Sequence, residues 1–356
     1  MQPTMMDDDL ASRPCSWLSP QGPESDVVLS TRVRLARNLG DWRMPWRLSA
    51  EEKSDLYDLI AGKLEDAAPV PDASMERIDQ LPGLKRDVLV ERHVISRELA
   101  QGDGARGVLF SRSEDSSVMA LEEDHLRLQA IRRGLQLEST WRAVDLLDDA
   151  LEDVFDYAVS EEFGYLTACP TNVGTGLRVS VMTHLPTLVE TGQIPKVKTA
   201  ASRVGLVLRG FRGEGSKSQG DFFQISNQVT FGKSEEDIIR LVQSMAGKIV
   251  EWERGVRRLL VEQDRTAVEN RVWRAWGALQ HARIMSSEEA MEKLSLIRLG
   301  VNTKLLVHLT LGDLNELFLY IQPGHIRTLT GAGEEPRDRD EMRARFIRQY
   351  LADRAR

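Results

Sequence analysis

The spacing of apolar positions divides this chain into two textures. Between residues 26 and about 232, apolar and polar positions alternate in short runs: DVVLSTRVRL, DVLVERHVI, SSVMALEEDHLRLQ, LRVSVMTHL, VGLVLRG and DFFQISNQVTF. Successive side chains of a strand point to opposite faces, so each run predicts a half-buried strand. Helix-like stretches separate them. Between 138 and 158, Trp141, Val144, Leu147, Leu151, Val154 and Ala158 recur at steps of three or four, the stripe of a helix laid against a sheet.

Beyond Gly232 long helical runs take over. SEED (234 to 237) has the spacing of a capping box and is followed by Ile238, Ile239, Leu241, Val242, Met245, Ile249 and Trp252; SSEE (286 to 289) opens a further helix in the same way. The end, EEPRDRDEMRARFIRQYLADRAR, reads as a solvated helix. These patterns predict an α+β fold: a sheet flanked by helices over 26–258 and an all-helical domain over 259–356. Residues 1–25, rich in Asp, Ser, Pro and Gly without periodicity, read as a flexible tail.

Composition narrows the class. With 356 residues, 41% hydrophobic and 29% charged, the chain has the make-up of a folded globular protein with room for two domains. Its formal charge of −8 argues against a general nucleic-acid binder but permits a local basic pocket. The two cysteines, Cys15 and Cys169, sit in unlike contexts, which favours a reducing, cytoplasmic setting over a disulfide scaffold. No apolar run approaches membrane-spanning length. The six histidines show no HExxH or paired-cysteine spacing, so no dedicated metal site is expected.

Candidate chemistry lies in four segments. In STRVR, the strand period puts Ser30, Arg32 and Arg34 on one face and Leu29, Thr31, Val33 and Leu35 on the other. Two guanidinium forks then line one surface, either as an anion site or as solvated edge charges. In SSVMALEEDHLRLQ the same rule puts Glu123, His125 and Arg127 together, as a catalytic carboxylate or as a self-neutralising pair. CPTNVGTGLR reads as a Gly-rich turn feeding a strand with Arg178, Ser180 and Met182 on one side. Its glycines allow close approach of a ligand or of a neighbouring loop. Cys169 is there either a buried small hydrophobe or a thiolate favoured by nearby arginines. RGFRGEGSKSQGD (209 to 221) carries Arg209 and Glu214 and is a hairpin loop or a lid over substrate. It is not a Walker site, because Ser216 displaces Lys217 from its place after the glycine. Permanent planar forks suit a nucleotide triphosphate, and paired carboxylates suit a cationic acceptor.

Taken in order, STRVRLARN, EEDHLRLQ, CPTNVGTGLR, RGFRGEGS and ISNQVTFGKSEEDI resemble the catalytic domain of the phosphagen (guanidino) kinases, and the whole chain is similar to the bacterial protein arginine kinases of that superfamily. The resemblance implies an antiparallel catalytic sheet. It implies ATP contacts from Ser30, Thr31, Arg32, Val33 and Arg34, from His93 and Arg127, from Arg178, Val179, Ser180, Val181 and Met182, and from Arg209, Gly210, Phe211, Arg212, Gly213 and Glu214. Phe211 and Arg212 depart from what usually follows RG in the family. Glu123 is implied as catalytic base, Glu214 as second carboxylate on the guanidinium and Cys169 as the thiolate beside it. RDEMRA (339 to 344) is similar to a motif that implies an allosteric phosphoarginine pocket from Arg339, Asp340, Arg343 and Ala344.

The expected activity is ATP-dependent phosphorylation of arginine in proteins, with Mg2+ held mainly by the phosphates. Too few residues precede Ser30 for the helical domain that cages small substrates in the superfamily, which favours a chain-borne arginine. Kinases of free arginine, and a non-catalytic phosphoarginine reader, are the alternatives. The implied partners are protein substrates including a stress-gene repressor, a zinc-binding activator protein, the Clp protease machinery and a second copy in a homodimer.

Overall fold

Alternating apolar residues need a layer to pack against, and here eight strands supply it. The computed structural model describes residues 10–210 and 219–354. The strands of the main sheet are β1 (Val28–Arg37), β2 (Ala73–Arg77), β3 (Gly107–Ser111), β4 (Ser116–Ala120), β5 (Leu126–Arg133), β8 (Leu177–His184), β9 (Leu206–Gly210) and β10 (Phe222–Asn227); β6 (Val159–Ser160) and β7 (Gly164–Tyr165) form a separate small hairpin. The order is β2-β3-β4-β5-β1-β8-β10-β9, antiparallel at every pairing.

One face of the sheet is largely apolar. Val33, Leu35, Leu128, Val179, Val181 and Ile225 pack there against α1 (Ala50–Ala67), α4 (Leu137–Glu152), α5 (Pro186–Glu190), α6 (Ile194–Arg203) and α7 (Glu235–Gln263). α4 buries Val144, Leu147 and Leu151, as their spacing predicts. It stops at Glu152 rather than reaching Ala158; Val154 still packs against the core from the turn beyond.

The opposite face is split. At the β3–β4 end it is covered by α2 (Gly83–Glu91) and α3 (Arg97–Gln101), around Val88, Leu89, Leu99, Val108, Phe110 and Met119. Residues 87–95 were expected as a strand, but α2 runs to Glu91. Pro82 stands before the helix and Val88 and Leu89 both face this cluster, so tertiary packing overrides a short alternation that period alone could not separate from a helix. At the other end Leu29, Ile131, Met182 and Phe222 meet the C-terminal helices α8 (Arg265–His281), α9 (Ser287–Asn302), α10 (Leu311–Tyr320), α11 (Pro323–Thr330) and α12 (Pro336–Arg354). Leu29 was expected on the far side. A register shift between Val28 and Ser30 makes Leu29 the extra residue of a bulge, which reverses its facing.

Ser234 and Ser286 cap α7 and α9 through the amides of Asp237 and Glu289. α7 passes unbroken through residue 258, and the chain turns at Asp264 before α8. Residues 10–25 are a further correction to the flexible tail. Leu10, Ala11, Cys15, Trp17 and Leu18 are buried, Trp17 and Leu18 in a 3-10 turn (Ser16–Leu18). A few isolated apolar residues without period gave no signal, yet they seal the seam between sheet and C-terminal helices.

Candidate active site

Between its two apolar patches, the split face carries charge. Cross-strand partners share a face, and the register sets Arg34 of β1 opposite Arg178 of β8, with Gln129 on its other side. Arg209 of β9 stands opposite Gln224 of β10. The result is a cleft of about 1210 Å³ lined by Arg32, Arg34, Arg127, Arg178 and Arg209, together with His93, Glu122, Glu123, Cys169 and Gln224. All five sequence-selected arginines therefore converge.

Their electrostatics follow from crowding. Burial, followed by the neighbouring Arg127 and Arg178, lowers the Arg32 pKa to about 10; burial and the Arg32, Arg127 and Arg178 charges lower that of Arg34 as well. Among the described residues, the Arg32 side chain donates to the neutral Gln224 Oε1, at 3.4 Å, and Arg34 Nε has no hydrogen-bond partner. Burial and the Arg32 and Arg34 charges push His93 down to about 3, so it is a neutral ring, tilted 5.0 Å from Trp17. A surface that destabilises its own cations in this way is poised for a polyanion.

The carboxylates are arranged differently from the strand reading. β4 ends at Ala120 and β5 starts at Leu126, so residues 121–125 form a turn, with Leu121 at φ +57°, and alternation does not apply. Arg127 takes Glu122 as its main partner at 2.6 Å and Glu123 at 3.3 Å; the Glu122 side chain is fully buried and that of Glu123 is 46% exposed. The self-neutralising pair exists, but Glu122 satisfies it and leaves Glu123 facing the cleft. Burial raises the Glu123 pKa, partly offset by Arg127, which suits a proton acceptor working near neutrality. His125 does not join this face. It is buried, its Nδ1 accepting from the Leu39 amide and its Nε2 meeting the Arg43 carbonyl.

Asp124 was missed in the sequence, although EED as a triple of acids was its signal. Fully buried, it accepts from Asn38 Nδ2 and from the Ala168 amide, each at 2.7 Å, and so pins the Glu123 turn to the segment carrying Cys169. Cys169 lines the cleft, half-buried, with its Sγ 3.0 Å from Thr171 Oγ1. Gly176 (φ +67°) lines the cleft and also approaches β1 closely: a Cβ there would lie 2.6 Å from the Ala36 carbonyl, and the Ala36 amide bonds back to the Gly176 carbonyl. The turn is thus moulded onto β1. Gln224 also went unselected; an amide set between the apolar Phe223 and Ile225 marked it.

Not every residue in the implied ATP spans reaches the cleft. Val33, Val179 and Val181 lie in the opposite core, and Thr31 Oγ1 donates to the Gly134 carbonyl at 2.7 Å. This corrects the expectation for their side chains: period two turns alternate residues away. Ser30, Ser180 and Met182 share the cleft's face without lining it; Met182 joins Leu29, Ile131 and Phe222. Gly210 lines the cleft. Phe211, Arg212, Gly213 and Glu214 lie outside the described residues.

The tail motif is built into the C-terminal core. Arg343 is buried; its Nε donates to the Ile321 carbonyl at 2.8 Å, and one terminal nitrogen serves both the Met285 carbonyl at 3.0 Å and Asp340 at 2.5 Å. Ala344 is buried beside it, while Arg339 and Asp340 are half-buried. Among the described residues no group of three or more His, Cys, Asp or Glu could hold a metal ion, and no helix is long and apolar enough to cross a membrane.

Comparison with known proteins agrees with this geometry. The ATP:guanido phosphotransferase C-terminal catalytic domain matches residues 60–256, and the C-terminal domain of the protein-arginine kinase McsB matches residues 265–356. Protein-arginine kinases of Halothermothrix orenii and Bacillus subtilis are 44% and 42% identical, each over 94% of this chain and over 96% and 93% of their own lengths. Among solved structures, the duplicated taurocyamine kinase of Schistosoma mansoni with bound transition-state-analogue components is similar at TM-score 0.59 and 25% identity, over 72% of this chain and 36% of that one. Lombricine kinase shares the fold at TM-score 0.57 and 23% identity, over 70% and 71% of the two chains. With its arginine-lined cleft, its guanidino-kinase sheet and relatives alike from end to end, the chain belongs to the protein-arginine kinase family of ATP:guanido phosphotransferases.

Proposed function

We infer that this protein transfers the γ-phosphoryl group of ATP to the guanidinium of arginine in protein substrates. The observation that carries the reading is the convergence, in one cleft, of five arginines, with Arg127 and Arg178 crowding Arg32 and Arg34, and a half-exposed Glu123 carboxylate that shares Arg127 with the buried Glu122. The forks would take the triphosphate, which relieves their repulsion. The guanidinium is cationic and a poor nucleophile; Glu123 would hold its charge and accept the proton released as the N–P bond forms and the P–O bond to ADP breaks. Glu214 is proposed as the second carboxylate and Cys169 as the thiolate beside the acceptor. Mg2+ would be held mainly by phosphate oxygens and water, which fits a lining of forks rather than an oxygen cage; bound there, it neutralises phosphate charge.

Relatedness to protein-arginine kinases, rather than to kinases of free guanidino compounds, favours the protein acceptor. We propose with it the family's setting: modified proteins marked for Clp-type degradation, control of a stress-gene repressor, a zinc-binding activator protein, a homodimer, a cytoplasmic location and a phosphoarginine pocket at Arg339, Asp340 and Arg343. The test is phosphate incorporation from labelled ATP into a folded protein and into free arginine. Sites would be mapped by mass spectrometry under non-acidic conditions that preserve a phosphoramidate. A strong preference for the free amino acid rejects the reading.

A further inference from the structure

A second concavity backs the Cys169 turn. It has a volume of about 540 Å³ and lies between the β6–β7 hairpin, the end of α4 and the start of α7. Its apolar wall is Phe163, Phe231 and Val159, which stand 44%, 52% and 56% exposed, and the two phenyl rings are 6.2 Å apart. Large apolar side chains gathered in the open mark an interaction surface, whereas scattered ones do not. Around them the lining carries Glu152, Glu162 and Glu235 against a single Lys233. Among the described residues none of the three carboxylates has an ion-pair partner; Arg37, over the Tyr165 ring at 3.5 Å, is held by Asp148. Burial raises the Tyr165 hydroxyl, the Arg37 charge opposes it, and Asp148, Glu152 and Glu235 add to it, so both helix ends bring their acids to one floor. That floor is preformed. Tyr165 and Gly174 exchange backbone hydrogen bonds at 2.8 and 3.3 Å, and a Cβ on Gly174 (φ +107°) would lie 3.0 Å from Phe231 Cα.

The groove shares a wall with the catalytic cleft. Cys169, Thr171, Asn172 and Gly176 line the cleft, while Gly174 and Thr175 of the same turn line the groove. Thr230, also in the groove, donates its hydroxyl to the Thr171 and Val173 carbonyls and ties the turn in place. Gly174 follows Cys169 by five residues, which puts the groove within about 18 Å of the cysteine, a reach of about six extended residues. A free amino acid cannot span that distance, but a polypeptide can. Unpaired carboxylates beside exposed aromatic rings suit a segment that is both basic and apolar. We propose that this groove docks the flank of a protein substrate: with the target arginine in the cleft, an apolar side chain of the same substrate packs between Phe163 and Phe231, and its Lys or Arg neighbours face Glu152, Glu162 and Glu235. The inference rests on the kinase reading above and deepens it, because it gives the enzyme a grip on its substrate outside the reacting group.

The test uses the full chain with ATP and two peptides: a core of one arginine between glycines, and the same core flanked on both sides by leucine and lysine within about six residues. Wild type should favour the flanked peptide roughly tenfold in kcat/KM, through KM, as burying one large apolar side chain does. The double variant Phe163→Ser with Phe231→Ser should cut that preference to within about twofold and leave the core peptide and the KM for ATP unchanged, since both rings lie outside the cleft. The pair Glu152→Lys with Glu162→Lys, at exposed positions, should lower kcat/KM for the flanked peptide alone by a few fold at low salt, and it decides the matter if the serine variant does not fold. A preference that survives the serine pair, or an equal loss with both peptides, overturns the docking site. Sedimentation checks the rival occupant: a wild-type oligomer that the serine pair dissociates, with the preference intact, makes the groove a contact between copies and overturns the proposal. A wild type that phosphorylates arginine in neither peptide nor in a folded protein overturns both readings, whereas an active wild type that gains nothing from the flanks overturns this one alone.

Discussion

Two populations of arginine share this molecule and do opposite work. Arg37, Arg92, Arg298 and Arg343 are fully buried and held by oxygen acceptors: Arg37 meets Asp148 at 2.6 Å and two carbonyls, Arg92 grips both oxygens of Glu114 at 2.7 Å, and Arg298 and Arg343 bond backbone carbonyls with Asn315 and Asp340. Arg32 and Arg34 of the cleft stand among other guanidinium groups instead, and the Arg127 and Arg178 charges add to burial in lowering the pKa of both. A guanidinium surrounded by acceptors is a structural bolt. One surrounded by guanidinia is a vacancy for an anion. The comparison explains why arginine counts say little about function and arginine partners say much.

Breaking a bolt should cost the most. Arg37→Ala leaves Asp148 buried beside the Tyr157 and Tyr165 rings, and we expect a loss of about 3–5 kcal/mol in a urea unfolding measurement, with activity falling only as the folded fraction falls. Glu123→Gln should reduce kcat on the order of 10³-fold with ATP binding intact. In wild type the acid limb of kcat/KM should lie above the ordinary glutamate range, because burial raises that carboxyl, and the limb should vanish in the variant.

Emptying the vacancy has the opposite signature. Arg34→Ala should lower kcat/KM for ATP on the order of 10²-fold without lowering the thermal midpoint, since it removes like-charge repulsion among Arg32, Arg127 and Arg178. A midpoint that drops as far as in Arg37→Ala would erase the distinction between the two populations.

The smallest effect is a pH dependence. Burial lowers the His125 pKa from 6.5 to about 4, so between those values the unfolded chain binds more protons than the folded one. Stability is therefore complete above about pH 6.5 and falls as pH drops toward 4, by up to about 1.4 kcal/mol per pH unit for this group. His93, lowered to about 3, acts in the same sense. Urea midpoints at pH 7 and 5 should show the loss, and His125→Gln should shrink it by one histidine's share.

Much of this was legible along the chain, for stated reasons. Period two placed Arg32 and Arg34 on one face and Val33 and Leu35 on the other, because a pleated strand leaves a side chain no third choice. Periods of three and four placed Val144, Leu147 and Leu151 inside, and Ser234 and Ser286 marked helix starts, because caps satisfy local amides. What failed was whatever depended on a distant partner. Nothing local separates Glu122 from Glu123 as the mate of Arg127; a five-residue turn did that. A bulge reversed Leu29, and packing made a helix of 83–91.

The sequence by itself determined the inventory: which side chains carry permanent charge, which faces are apolar, and which family's motifs occur in order. Only the tertiary structure decided which arginines would be neutralised and which left facing one another. That is because Coulomb interactions and desolvation act between residues a hundred or more positions apart, and their sign is set by sheet register and burial, which no local pattern encodes.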